Sequence, residues 1–130
     1  YIDNLRENGI EVVELHYFKD TVKSDDSKIY NLVPIEFLNY LFYSDSIITD
    51  SFHGTALSII LKKSFWTFGD SMRIRDLLTE VGLAYRMVNE KGNVLNNNLK
   101  IDYTNSSIRL DNAIETSKKY LIDSIGISEL

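Results

Sequence analysis

Between Thr49 and Gly54 the chain reads Thr-Asp-Ser-Phe-His-Gly, which sets an imidazole among small oxygen-bearing side chains and beside a glycine. Two chemistries suit that set: holding an anion, and donating a proton to it. The run Ser46-Ile47-Ile48 stands before it and Thr55-Ala56-Leu57-Ser58-Ile59-Ile60-Leu61 after it, so the order is buried strand, polar turn, buried helix. Such a turn puts side chains at the carboxyl edge of a sheet and aims the first amides of a helix into the crevice there. With Asp50 or Ser51 as cap, the amides of Phe52 to Thr55 and the positive end of the helix dipole form an anion site. His53 then donates to a phosphate or carboxylate, or acts as a general acid. Gly54 leaves room where a ligand approaches the backbone. The plainer alternative makes Ser51 an ordinary N-cap and His53 a polar residue satisfied by a nearby carbonyl. A Ser-His-Asp hydrolase fits poorly, because Asp50, Ser51 and His53 are too close in sequence to form a triad from separate segments.

The flanking sequence has to supply the sheet. Tyr1 to Gly9 reads as the end of a helix stopped at Asn8-Gly9, and Ile10 to Tyr17 as a strand. Lys19 to Lys28 is charged and reads as a solvated loop. Pro34 opens a helix to Tyr43, with Phe37, Leu38, Leu41 and Phe42 as its apolar stripe. Ser46 to Thr49 is a strand and Phe52 to Lys63 a helix. Ser64 to Phe68 is the next strand, ending at Gly69-Asp70-Ser71. Ile74, Leu77, Leu78 and Val81 mark a helix closed by Gly82, and Tyr85 to Val88 a short final strand. Asn89 to Asn98 is asparagine-rich loop. The last helix runs from about Ser107 to Ile125, carrying Ile108, Ala113, Ile114, Leu121 and Ile125. This alternation predicts an α/β fold: a Rossmann-like three-layer domain over residues 1–130, with a mostly parallel sheet and helices on both faces. A Rossmann-like unit normally opens with a strand, whereas this chain opens with a helix and without methionine. It therefore reads as a piece of something larger.

Composition narrows the function. With 130 residues, 44% of them hydrophobic and 25% charged, the chain is long enough to bury a core. A formal charge of −5 disfavours nucleic acid as the main partner, since phosphate backbones call for a basic stripe. Absence of cysteine excludes disulfides, thiolate nucleophiles and cysteine metal sites, and fits a reducing, cytoplasmic compartment. No run approaches the ~20 apolar residues of a membrane span, and no leader-like segment opens the chain. His16 and His53, the only histidines, are far apart, so no metal-ligand spacing arises. No dinucleotide fingerprint or phosphate-binding loop is present.

Several blocks resemble the polysaccharide pyruvyl transferase family. They are Pro34-Ile35-Glu36-Phe37-Leu38; the run Ser44-Asp45-Ser46-Ile47-Ile48-Thr49-Asp50-Ser51-Phe52-His53-Gly54-Thr55; Lys63-Ser64-Phe65; Arg73-Ile74-Arg75-Asp76-Leu77-Leu78; and Gly82-Leu83-Ala84-Tyr85-Arg86. The likeness covers about Val33 to Arg86. Two positions depart from it: Ser64 stands where proline is usual, and Ser51 where some members carry an arginine.

The resemblance implies a two-domain fold like that of GT-B glycosyltransferases, with this chain as the C-terminal, donor-side half. It implies transfer of pyruvate from phosphoenolpyruvate onto two sugar hydroxyls of a polysaccharide precursor, as a cyclic ketal with release of phosphate. No cofactor is implied. The partners would be phosphoenolpyruvate, a sugar acceptor and an N-terminal domain of the same protein. His53 is the catalytic candidate, as general acid or phosphate contact. Ser51, Phe52, Gly54, Thr55 and Arg73 are the substrate-binding candidates; a guanidinium fork at Arg73 suits phosphate or carboxylate, and a solvated helix-start arginine is its plainer reading. Arg75 should point about 200° from Arg73 around the helix, and Arg86 is a weaker candidate. The alternative is a GT-B-like glycosyltransferase donor domain, or a non-catalytic module of the same fold.

Overall fold

The computed structural model describes residues 2–16, 28–88 and 100–126. It is an α/β structure of short parallel sheets and helices, divided into two compact units, Tyr1–Tyr43 and Ser44–Leu130.

In the first unit, α1 (Ile2–Glu7) ends where the Gly9 amide bonds the Arg6 carbonyl at 2.9 Å and the Ile10 amide bonds the Leu5 carbonyl at 3.0 Å. That pair of bonds needs a left-handed residue at Gly9, whose φ is 76°. Strand β1 (Glu14–His16) is shorter than the sequence suggests and pairs in parallel with β2 (Lys28–Tyr30). The expected loop from Lys19 to Lys28 lies outside the described residues except at Lys28, which begins β2. Helix α2 (Pro34–Tyr43) has the predicted bounds. Its proline occupies the first turn, and Glu36 Oε2 accepts the Val33 amide at 3.1 Å. Leu41 is buried on this helix, but Phe42 is 56% exposed and does not belong to the covered stripe.

The second unit is a β-α-β-α-β succession on a three-stranded parallel sheet in the order β3-β4-β5. Strand β3 (Ser46–Thr49) pairs Ile47 with Phe65 and Thr49 with Thr67 of β4 (Ser64–Phe68). Both strands have the bounds read from sequence. Helix α3 (Phe52–Ile60) stops three residues before Lys63, where the Lys62 and Lys63 amides turn back onto the Ile59 and Ser58 carbonyls. Helix α4 (Met72–Glu80) follows β4. The predicted strand Tyr85 to Val88 is instead one turn of 3-10 helix (Ala84–Arg86) followed by β5 (Met87–Val88). The core comprises Ile47, Ile59, Phe65, Ile74, Leu78, Val81, Leu83 and Val88.

Helix α5 (Thr104–Ile125) begins three residues before Ser107, because Asp102 Oδ1 accepts both the Thr104 amide at 2.9 Å and the Thr104 hydroxyl at 2.7 Å. Its inner attachment is polar: Ser106 is buried, and the Tyr103 hydroxyl donates to the carbonyl of Lys63. The expected apolar residues Ile108, Ile114, Leu121 and Ile125 are exposed. The asparagine-rich stretch Asn89 to Asn98 lies outside the described residues.

Candidate functional site

Thr49 ends β3, and the next residues turn straight into α3. Ser51 has an extended backbone, φ −91° and ψ 136°, and its Oγ accepts the Gly54 amide at 3.4 Å. Its own amide donates to Thr49 Oγ1 at 3.1 Å. The turn is thus cross-braced by side-chain oxygens, the property for which serine and threonine are favoured at helix starts. The Thr55 amide is spent on the Ser51 carbonyl at 2.9 Å. The amides of Phe52 and His53 are left facing outward at the positive end of the helix, a narrower donor set than the four expected.

Gly54 and Thr55 turn inward. Gly54 is buried, and a Cβ there would lie 2.3 Å from Thr49 Oγ1, so the glycine is required by the close approach of α3 to β3. Thr55 is fully buried; its hydroxyl bonds the Ser51 carbonyl at 2.9 Å and lies 3.0 Å from Thr67 Oγ1 on β4. The Ser58 hydroxyl donates to the Gly54 carbonyl at 2.7 Å. Small polar side chains therefore pin α3 to the sheet, and Thr55 contributes no accessible hydroxyl to a ligand.

His53, Phe52 and Arg73 converge on the outer side. The imidazole of His53 is exposed and meets the Phe52 ring edge-on, at 5.9 Å between centroids and 82° between planes. The Arg73 guanidinium carbon lies 5.4 Å from the centroid of the same phenyl ring. Strands β3 and β4 are parallel, so the turn into α3 and the turn into α4 lie at the same carboxyl edge. Phe52 links the two. A ligand-contact candidate from the sequence, it meets both the imidazole and the guanidinium at this edge.

The other arginines are engaged differently. Arg75 forms an ion pair with Asp70 in the turn that follows β4. Arg86 is 2% exposed. Its guanidinium lies over the rings of Trp66, at 4.6 Å, and Tyr85, at 5.2 Å, and donates to the Lys100 carbonyl at 3.1 Å. It ties β4 and the 3-10 turn to the segment leading into α5. Burial raises the Tyr103 hydroxyl's pKa against the opposing influence of Arg86, which keeps that phenol a neutral donor.

In the first unit, His16 is no loose ligand either. Its Nε2 lies 3.2 Å from Glu14 Oε2, its ring stacks at 5.5 Å on Tyr30, and Arg6 Nη2 donates to the other Glu14 oxygen at 2.9 Å.

A cleft of about 350 Å³ opens at the opposite, amino edge of the three-stranded sheet, lined by Ser44, Asp45, Lys62, Lys63, Ser64 and Lys100 with Ile101. None of these residues is a site candidate from the sequence. Lys62 and Lys63 follow the carboxyl end of α3, where cations complement the helix dipole.

No helix among the described residues is long and apolar enough to cross a membrane. No protein-family model, curated protein or solved structure matches the chain.

Proposed function

We propose that the chain is the donor-side, Rossmann-like half of a GT-B-like pyruvyl transferase, acting in the cytoplasm on a polysaccharide precursor. The observation that carries the reading is that His53 and Arg73 both lie against the ring of Phe52, at a helix start. Phosphoenolpyruvate offers what such an edge can hold: a phosphate and a carboxylate for the Arg73 fork and the amides, and a methylene carbon that must gain a proton.

In this reading His53 delivers that proton to the methylene carbon. Carbon 2 becomes electrophilic, one acceptor hydroxyl adds to it, and the second closes the ketal as the bond to the phosphate oxygen breaks. Of the two hydroxyl protons, one replaces the proton given up by His53 and the other leaves with phosphate. The acceptor is held against the donor by an N-terminal domain of the same protein.

The test is phosphate release from phosphoenolpyruvate by the full-length protein in the presence of sugar acceptors. His53→Gln should lower turnover by ~10²-fold or more, the ordinary loss on removing a general acid. A purely phosphate-binding His53 would instead weaken apparent affinity for phosphoenolpyruvate. Unchanged kinetics in both measures would remove His53 from the mechanism, and release of a nucleoside diphosphate from a sugar nucleotide would replace the reading altogether.

A further inference from the structure

We infer that Phe52 is a positioning residue: its ring holds the Arg73 guanidinium at the carboxyl edge while leaving the fork open to the phosphate or carboxylate of the donor. This rests on the proposed function for what Arg73 binds, and on geometry alone for what holds Arg73. The Arg73 guanidinium carbon lies 5.4 Å from the centroid of the Phe52 ring, inside the ~6 Å reach of a cation–π contact. Phe52 is the first residue of α3 and Arg73 the second of α4, so the contact joins the starts of two helices.

The two arginines of α4 are held in different ways. Arg75 is paired with the Asp70 carboxylate, which neutralises its charge and occupies donors of its fork. Arg73 has no carboxylate or hydrogen-bond acceptor among the described residues, and the phenyl ring is its contact. A π face attracts a guanidinium through its quadrupole and supplies neither a lone pair nor a countercharge. The charge and the N–H donors of Arg73 therefore stay available to an anion. A flexible arginine gives up rotamer freedom when it binds, and a ring that orders it beforehand lowers that cost. Phe52 suits the task because its own backbone is braced. The neighbouring Ser51 accepts the Gly54 amide on Oγ at 3.4 Å and donates its amide to Thr49 Oγ1 at 3.1 Å. The phenyl group is half-buried and offers a substrate no hydrogen bond of its own. Its part in anion binding thus runs through Arg73.

The experiment compares the full-length protein with Phe52→Leu, which keeps apolar bulk without a π face, and Phe52→Trp, which keeps the face. Without ligand, the ring current should displace the Arg73 Nε–H signal in NMR; Phe52→Leu should abolish the displacement and Phe52→Trp retain it. Titration with inorganic phosphate, read at the His53 backbone amide, should show affinity weakened roughly two- to fivefold in Phe52→Leu, the scale of an exposed cation–π contact, and recovered in Phe52→Trp. KM for phosphoenolpyruvate should rise by the same factor with kcat near that of the parent, the pattern of lost uniform binding. In an Arg73→Ala background, Phe52→Leu should weaken phosphate binding no further. Phe52→Met, also without a ring, repeats every reading should Phe52→Leu not fold. The inference is overturned if the Arg73 signal does not move in the ring-free variants, if their phosphate affinity equals the parent's, or if the loss persists in the Arg73→Ala background. Expected phosphate behaviour without turnover of phosphoenolpyruvate would remove the proposed function and leave the role of Phe52 standing.

Discussion

At the scale of single residues, the Thr-Asp-Ser-Phe-His-Gly turn divides its labour by direction. Gly54 and Thr55 face the sheet, while His53 and Phe52 face outward, and only the structure separates the two duties. The types and spacing in the sequence identify a capped helix start; they do not say which small side chain is consumed by packing. Because a Cβ on residue 54 would fall 2.3 Å from Thr49 Oγ1, Gly54→Ala should destabilise the protein by about 1–3 kcal/mol, the usual cost of forcing an atom into a packed site. Thr49→Ala in the same chain should recover part of that loss, a coupling readable from a double-mutant cycle of urea midpoints. Additive effects would show that the two residues do not meet. Thr55→Val tests the inward hydroxyl separately. It leaves the buried Thr67 hydroxyl without its 3.0 Å partner and should cost about 1–3 kcal/mol, with no effect on any ligand at the carboxyl edge.

At the scale of elements, legibility followed how locally each element is determined. Helix α2 and strands β3 and β4 have their predicted bounds, because proline, apolar runs and polar turns mark both ends in the sequence itself. Strand β2 was missed. Lys28-Ile29-Tyr30 has no pattern of its own and is a strand by virtue of its register with Glu14-Leu15-His16. The start of α5 was placed late because Asp102 acts from two residues ahead of Thr104, and the apolar positions assigned to that helix were read by type where exposure decides. Arg86 is the clearest case of tertiary context overriding residue type: a charged side chain that lies over the rings of Trp66 and Tyr85 and is buried. Its planarity is what the site uses, so lysine is a poor substitute. Arg86→Lys should lower stability by about 2 kcal/mol, the scale of a desolvated cation–π contact, and should loosen amide protection at Lys100 and Ile101. Full protection in that variant would show that the stack does not hold the segment.

At the scale of the whole molecule, an acidic chain concentrates its electrostatic structure in a few places. In the first unit, burial pushes the Glu14 carboxyl up, but hydrogen bonds with His16 and Arg6 and the charges of Lys28 and Arg6 outweigh it and hold the group below the ordinary glutamate value of 4.5. A carboxylate held low in the folded state stabilises fully above its unfolded pKa, and the contribution is lost as pH falls through the folded one. Protection of the Leu15 and His16 amides should therefore decline below pH 4.5, and Glu14→Gln should flatten that decline; an unaltered profile would assign the acid sensitivity elsewhere. The second unit bears on function, because catalysis in the proposed reading belongs to two domains and anion recognition to one. Aligning an acceptor with the donor is worth ~7–11 kcal/mol in favourable cases, and a single half of a cleft cannot supply it. These 130 residues alone should thus lack transferase activity yet keep weak affinity for phosphoenolpyruvate at the α3 start. Titration with phosphoenolpyruvate should move the His53 ring signals in NMR at millimolar ligand, and Arg73→Ala should abolish that response. Saturable transferase activity from the chain alone would refute the division of labour, and a His53 signal indifferent to phosphoenolpyruvate would refute the donor edge itself.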